Sequence, residues 1–267
     1  MIHREQYLGK TIPPSIDDLK EIFLRHCFEE SNAFKKLNAI KKNFVKEWKT
    51  YPESVKKELL VTLSIDFTYN TNAIEGSTIT HEETEEIIKH HCAPHKSLQD
   101  VQETVNHSKM FFEMFHEKKE LSLSLLLSCH KGLFGETKPD IAGRVRDYLV
   151  RVGPYVAPDW QDLDTLLKEF FRWYHRKKSI MHPVELAARA HYRFEKIHPF
   201  GDGNGRVGRL IIAYVLRRAG FPQLIIEYKK RKMYYHALQK TEHDFFNYFI
   251  KRYITAHKLL LRTLNIY

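Results

Sequence analysis

The sequence predicts a mainly α-helical protein: a helical bundle that carries one small β-hairpin. Three observations predict it. Apolar residues recur at three- and four-residue spacing along most of the chain, which marks one face of a helix. Glycine and proline are sparse, at 11 and 10 of 267 residues, while aromatics make up 13%. Only one segment, Val145 to Ala157, alternates and is rich in β-branched and aromatic residues, with Gly153-Pro154 at its turn.

The elements follow in order. Residues from about Ile16 to Trp48 read as amphipathic helix. Pro52-Glu53-Ser54 opens a second helix, running through Leu59, Leu60, Leu63, Ile65 and Phe67. Thr80-His81-Glu82-Glu83 reads as a capping box, a Thr followed three residues later by Glu. That helix runs through Ile87 and Ile88 until Ala93-Pro94 ends it. Further helices span about Leu98 to Lys118, Leu121 to Leu133 and, after the hairpin, Leu163 to Tyr174. Pro183 sits well in the first turn of a helix reaching Ile197, with Leu186, Ala190, Phe194 and Ile197 as its buried stripe. The next helix stops at Ala219-Gly220-Phe221-Pro222. Residues 233 to 261 read as one or two final helices, and no internal repeat or low-complexity tract interrupts the series.

Composition narrows the class. The chain is 43% hydrophobic and 28% charged, which is ordinary for a soluble globular protein. The start, Met1-Ile2-His3-Arg4-Glu5-Gln6, has no apolar core, so no secretory signal is expected. The most apolar run, Leu121 to Cys129, is too short to span a bilayer, so no membrane partner is expected. Three widely spaced cysteines, Cys27, Cys92 and Cys129, argue for reduced thiols and a cytoplasmic location. The net charge of +10 comes with basic runs such as Lys229-Lys230-Arg231-Lys232. No nucleic-acid recognition motif accompanies them. Solvated helix faces, and a site that attracts an anionic ligand, explain the charge better than nucleic acid does.

The segment from His198 to Arg209, His-Pro-Phe-Gly-Asp-Gly-Asn-Gly-Arg-Val-Gly-Arg, is the densest in chemistry. A helical apolar pattern follows at once in Val207, Leu210, Ile211, Tyr214 and Val215. The segment therefore reads as a loop entering a helix N-terminus, where free N–H groups and a positive dipole suit a polyphosphate. Gly203 and Gly205 let the backbone approach closely. Arg206 and Arg209 stand three apart on one helix face and can fork onto phosphate oxygens. Asp202 is a candidate Mg²⁺ ligand, and His198 a candidate general base near neutrality.

These residues match H-x-F-x-[DE]-G-N-[GK]-R-x-x-R at every fixed position, and the chain thereby resembles Fic proteins. The resemblance spans roughly Leu121 to Ile254. It implies a Fic fold: a helical core at 121–260, a hairpin flap at 145–157 over the active site, and a helical N-terminal region at 1–120. It also implies transfer of AMP from Mg-ATP to a Ser, Thr or Tyr hydroxyl of a target protein. His198 would then take the hydroxyl proton and Asp202 would hold Mg²⁺. The backbone of Gly203, Asn204 and Gly205 would form an anion cradle, with Arg206 on the β-phosphate and Arg209 on the γ-phosphate. Phe200 would anchor the loop by packing. Gly205 stands where some family members carry Lys, a form that goes with phosphate transfer, so Gly205 favours AMP transfer. Gly143-Arg144-Val145-Arg146 resembles the family's lead-in to the flap, along whose edge the target would register.

Further positions come from the same resemblance. The flap tip Val152, Gly153, Pro154 and Tyr155, and the pair Tyr234-Tyr235, match nucleotide-lining residues. Glu242 falls where one branch carries an Asn near the adenine, which puts base selectivity in question. Thr71-Asn72-Ala73-Ile74-Glu75-Gly76 matches the inhibitory pattern [ST]-x-x-x-E-[GN]. Glu75 would pair with Arg209 and deny it to the γ-phosphate. The expected partners are ATP and a hydroxyl-bearing target protein, with a homodimer left open. Removal of AMP, transfer of another nucleotide or a phosphocholine group, and non-enzymatic nucleic-acid binding remain alternatives. His90-His91-Cys92 with His95 has no workable zinc spacing; His130, His182 and Cys129 read as structural.

Overall fold

The computed structural model describes residues 32–153 and 155–262. Pro154, Cys27 and the expected helical stretch before residue 32 lie outside them. The first described helix is α1 (Asn32–Thr50), with Phe34, Leu37 and Ile40 buried on one face. α2 (Glu53–Ile74) follows Pro52 and ends at Glu75, where Gly76 takes a positive φ of 97° and turns the chain away.

The Thr80 capping box forms as the sequence predicts: Thr80 accepts from the Glu83 N–H at 3.1 Å, and Glu83 accepts from the Thr80 N–H at 2.8 Å. The helix it starts is shorter than expected. α3 (His81–Glu85) passes into a π-helical turn, Glu86–His90, which closes at His91 with φ 55°. α4 (Leu98–His116) and α5 (Leu123–Phe134) begin at Ser97 and Ser122, whose hydroxyls accept N–H groups of the first turn.

The hairpin is smaller than the alternation predicts. β1 (Arg151–Val152) pairs antiparallel with β2 (Tyr155–Val156), with Arg151 opposite Val156 and Val152 opposite Tyr155. Residues before Val150 do not pair across the hairpin. Arg146 ties them elsewhere: its N–H donates to Pro199 O, and its buried guanidinium donates to the carbonyls of His198, Tyr148 and Pro158. Local alternation is blind to such a long-range claim on the backbone.

α6 (Leu163–Lys177), α7 (Pro183–Ile197) and α8 (Asn204–Arg218) carry the centre of the molecule. The end of the chain holds three described helices where one or two are expected: α9 (Arg231–Gln239), α10 (Glu242–Ala256) and α11 (Lys258–Arg262). α8 is buried along most of its length, from Arg206 to Leu216. It packs on α7, α4 and α2, and α10 packs on α7. Gly208 permits a close α7–α8 approach, since a Cβ there would meet Glu195 at 2.6 Å and His191 at 2.8 Å. One apolar cluster runs from Phe34 to Tyr253 and joins the N-terminal helices to the rest. The result is a mainly helical fold with a small two-stranded hairpin. No described helix is long and apolar enough to cross a membrane.

Candidate active site

The twelve-residue segment turns between α7 and α8. His198 ends α7 in the left-handed region at φ 51°, and Gly203 starts α8 at φ 75°. A Cβ at Gly203 would strike the Phe134 ring at 2.3 Å, so glycine is required twice over. Phe200 is fully buried and stacks on His130 with ring centroids 4.0 Å apart. Asn204 clamps the loop by accepting from Phe200 N–H at 2.9 Å and donating to Phe200 O at 2.8 Å. Its side chain is therefore committed to the loop, and only its backbone can face an anion. Val207 N–H bonds back to Gly203 O, which leaves the N–H groups of Asn204, Gly205 and Arg206 without an intrahelical acceptor.

His198 is half-buried. Its Nδ1 lies 3.3 Å from the Glu195 carbonyl. A carbonyl only accepts, so Nδ1 carries the proton and Nε2 keeps its lone pair. Burial, outweighing the Glu195 carbonyl bond, holds the imidazole below its ordinary range, with Arg146 adding to the effect. The neutral form, able to accept a proton, is thus favoured.

Each motif arginine meets a carboxylate from an N-terminal helix. Arg209 is 3% exposed and donates from Nη2 to Glu75 Oε1 at 2.5 Å and to Thr71 O at 3.3 Å. Arg206 donates to Glu103 of α4 and lies over the Phe134 ring. Asp202 receives the Lys138 ammonium at 2.6 Å and the Gly203 N–H at 2.5 Å. Burial works to raise the Asp202 carboxyl, but Arg206 and Lys138 outweigh it and hold it below the usual range. Asp202 is therefore an ionised, partly exposed acceptor.

Most of the expected residues fall into two adjoining compartments, while Gly203 and Asn204 line neither. A cavity of about 340 Å³ is lined by His198, Gly205, Arg209, Tyr234 and Tyr235, with Val152, Gly153 and Tyr155 from the flap. A smaller polar cleft of about 170 Å³ holds Asp202 and Arg206, with Glu103 and Lys138. Glu75 lines both and stands between them. Gly205 makes room for it, since a Cβ there would lie 2.3 Å from Glu75 Oε1. Tyr235 fixes the same helix end by donating to Ile74 O at 2.8 Å, while the Tyr234 hydroxyl lies 2.8 Å from His191 Nε2.

Glu242 is not where its alignment suggests. It binds Arg189 and Arg193 of α7, each at 3.1 Å, and Gln239 lines the cavity instead. The reason is that Glu242 opens α10, one helix beyond the cavity wall. Sequence reading also missed Glu195, Lys196 and Leu238 in the lining, and Glu103 and Lys138 beside Asp202. Glu195 carried a usable signal, one helical turn before His198. Glu103 carried none, because its partner lies 103 residues away.

The residues set aside as structural behave so. His130 accepts from Gly143 N–H and lies 3.0 Å from Asp202 O, and burial pushes it down to about 4. Burial pushes the Cys129 thiol up to about 12, which leaves it inert. No metal-holding group of three His, Cys, Asp or Glu occurs among the described residues, around His90 or elsewhere.

The sequence model of the Fic/DOC family matches residues 120–216, which hold the flap and the whole His198–Arg209 loop. The chain carries a Fic/DOC-family domain at residues 120–216. It is 34% identical over 189 residues to a protein adenylyltransferase Fic of Nematostella vectensis, covering 68% of this chain and 44% of that relative. It is 38% identical over 176 residues to one of Drosophila ananassae, covering 64% and 35%. The chain thus spans less than half the length of these relatives. A Fic-domain signalling protein of Bacteroides thetaiotaomicron superposes with TM-score 0.76 at 24% identity, covering 85% of this chain and 96% of that one. Fic-1 of C. elegans gives 0.73 at 24%, covering 93% and 77%. These likenesses establish a Fic fold reaching beyond the matched segment into the N-terminal helices.

Proposed function

We propose that this Fic chain is a Mg-ATP-dependent protein adenylyltransferase that Glu75 restrains. The observation that carries the reading is the shared cavity. It holds a neutral base with a free lone pair, a helix N-terminus for an anion, and an arginine already claimed by a carboxylate. The relatives' name, protein adenylyltransferase, points the same way.

In this reading a target hydroxyl oxygen attacks the α-phosphorus of ATP. The new P–O bond forms as the α–β bridging P–O bond breaks, and pyrophosphate leaves. His198 Nε2 takes the hydroxyl proton. The N–H groups at the start of α8 cradle the phosphates, and Arg206 and Arg209 meet the leaving group. Val152, Gly153, Tyr155, Tyr234 and Tyr235 enclose the nucleoside. We read residues 1–120 as the restraining part and 121–260 as the catalytic part.

Asp202 fits a Mg²⁺ ion that keeps most of its waters, because such an ion takes only one or two carboxylates and shares the substrate's phosphates. The ion would neutralise charge between phosphates. Asp202→Ala should remove the magnesium-dependent part of the activity. Matching Mg²⁺ titration curves for variant and parent would refute the assignment.

The target segment docks along the flap, whose Leu149, Val152 and Val156 are exposed at 62%, 45% and 52%. Strand addition there uses main-chain bonds and so tolerates varied target sequences. Cys92 and Cys129, both free among the described residues, support a cytoplasmic setting. The deciding experiment uses ATP labelled at either phosphate. Protein-bound label from the α-position, with none from the γ-position, is expected. Retention of γ-label would instead mean phosphate transfer.

A further inference from the structure

Among the described residues, Glu195 is the one carboxyl lining the large cavity that lacks a Lys or Arg partner. It lies on α7 and lines the cavity beside Arg209, Gly205 and His198. Its side chain is 12% exposed, and Oε1, wedged over Gly208, has no hydrogen-bond partner among the described residues. The nearest basic atom is His191 Nδ1 at 4.0 Å, too far for a hydrogen bond. Arg209 Nη2 is engaged by Glu75. The Lys196 ammonium sits over the rings of Tyr155 and Tyr192. A buried carboxylate with no cation is costly, whereas a protonated carboxyl is not, and it gains a donor.

We propose that Glu195 binds the nucleotide as a neutral acid, donating a hydrogen bond from its carboxyl to a phosphate oxygen in the cavity. This rests on the nucleotide reading above. The acceptor follows from position: Glu195 shares its part of the cavity with the phosphate-facing α8 N-terminus and Arg209. A neutral carboxyl adds a donor there, while an ionised one repels the phosphates. The titration supports the geometry. Burial overcomes the opposing pull of Arg209 and, with Glu75 adding to it, pushes the Glu195 carboxyl up to about 8.

The surrounding groups keep one charge through that range, with a single exception. On α7, burial pushes His191 down to about 3 and lowers His198, so both are neutral there. Tyr234 and Tyr235 of α9 and Tyr155 of the flap are raised by burial and stay protonated. On α8, Arg209 is raised, burial being outweighed by Glu75. Glu75 of α2 is its partner. The exception is Lys196, which burial lowers.

The test is calorimetric titration of ATP and of adenosine into the full chain across pH. Wild-type ATP affinity should fall by about tenfold or more from about pH 7 to about pH 9.5, as Glu195 loses its proton. Glu195→Gln, neutral throughout, should bind ATP with a flat profile. Glu195→Leu should bind about tenfold more weakly near pH 7, because a bond to a charged acceptor is gone. Adenosine, which lacks phosphate, should show no pH dependence. A flat wild-type profile would overturn the proposal. So would an unchanged slope in Glu195→Gln, which would trace the effect to Lys196, or an equal slope with adenosine. Failure of the wild-type chain to bind ATP at any pH would defeat the nucleotide reading itself, and this inference with it.

Discussion

Replacing Glu75 by glycine should raise AMP incorporation, into the chain itself or into a target, by about 10²-fold. The figure follows from geometry. Glu75 sits on Arg209 at 2.5 Å; in the proposed reading this would deny the guanidinium to the γ-phosphate and displace the α-phosphate from the line of attack. A misplacement of about 1 Å can cost on the order of 10²-fold in rate. The pair is well placed to exert this control. Arg209 is 3% exposed and Glu75 27%, so water screens the contact poorly. Tyr235 fixes the end of α2 at Ile74 O, and Gly205 leaves the room that the carboxylate occupies. The gain must vanish when Glu75→Gly is combined with His198→Ala, because lifting the restraint does not replace the base. Arg209→Ala should not mimic the gain, since it also removes the γ-phosphate partner. Measured incorporation of α-labelled AMP decides. A Glu75→Gly chain no more active than wild type would refute the restraint. It would also shift the reading toward AMP removal, with Glu75 orienting a water from its place between the two compartments.

Loss of the base is the second large effect. His198→Ala should lower transfer by about 10²–10⁴-fold while leaving ATP affinity nearly intact, because the imidazole acts on the hydroxyl and not on the phosphates. His198 has φ 51°, so alanine adds backbone strain there. His198→Asn, which tolerates that conformation, separates lost chemistry from a shifted loop. The pH dependence has a definite sign. Burial favours the neutral imidazole, so the wild-type rate should hold through neutrality and fall only at a pH below the ordinary imidazole range. Near wild-type transfer by either variant would remove His198 from its role.

Much of this was legible in the chain because its signals are local. Helix positions follow from spacing, capping and proline, all read within a few residues. The loop of His198, Asp202, Gly203 and Gly205 is one contiguous stretch, so its chemistry is visible without a fold. What failed, failed where a distant group claimed a local one. The hairpin shrinks because Arg146 binds the carbonyl of His198, 52 residues on. Glu242 does not line the large cavity because Arg189 and Arg193, 53 and 49 residues earlier, capture it. Lys138 and Glu103 escaped notice because neither lies near Asp202 or Arg206 in sequence.

The sequence by itself determined the mainly helical class, the resemblance to the Fic family, and the residues of the His198–Arg209 loop. These rest on periodicity and on a contiguous motif, which short-range chemistry dictates. Tertiary structure alone decided how the charges are shared. Packing α2 and α4 against α8 sets Glu75 on Arg209 and Glu103 on Arg206, and it divides the site into two compartments at Glu75. It also leaves Glu195 Oε1 without a hydrogen-bond partner among the described residues. Charge pairing depends on distance in space and on exclusion of water. Both are set by which helices pack together, and neither is written in the spacing of residues along one helix.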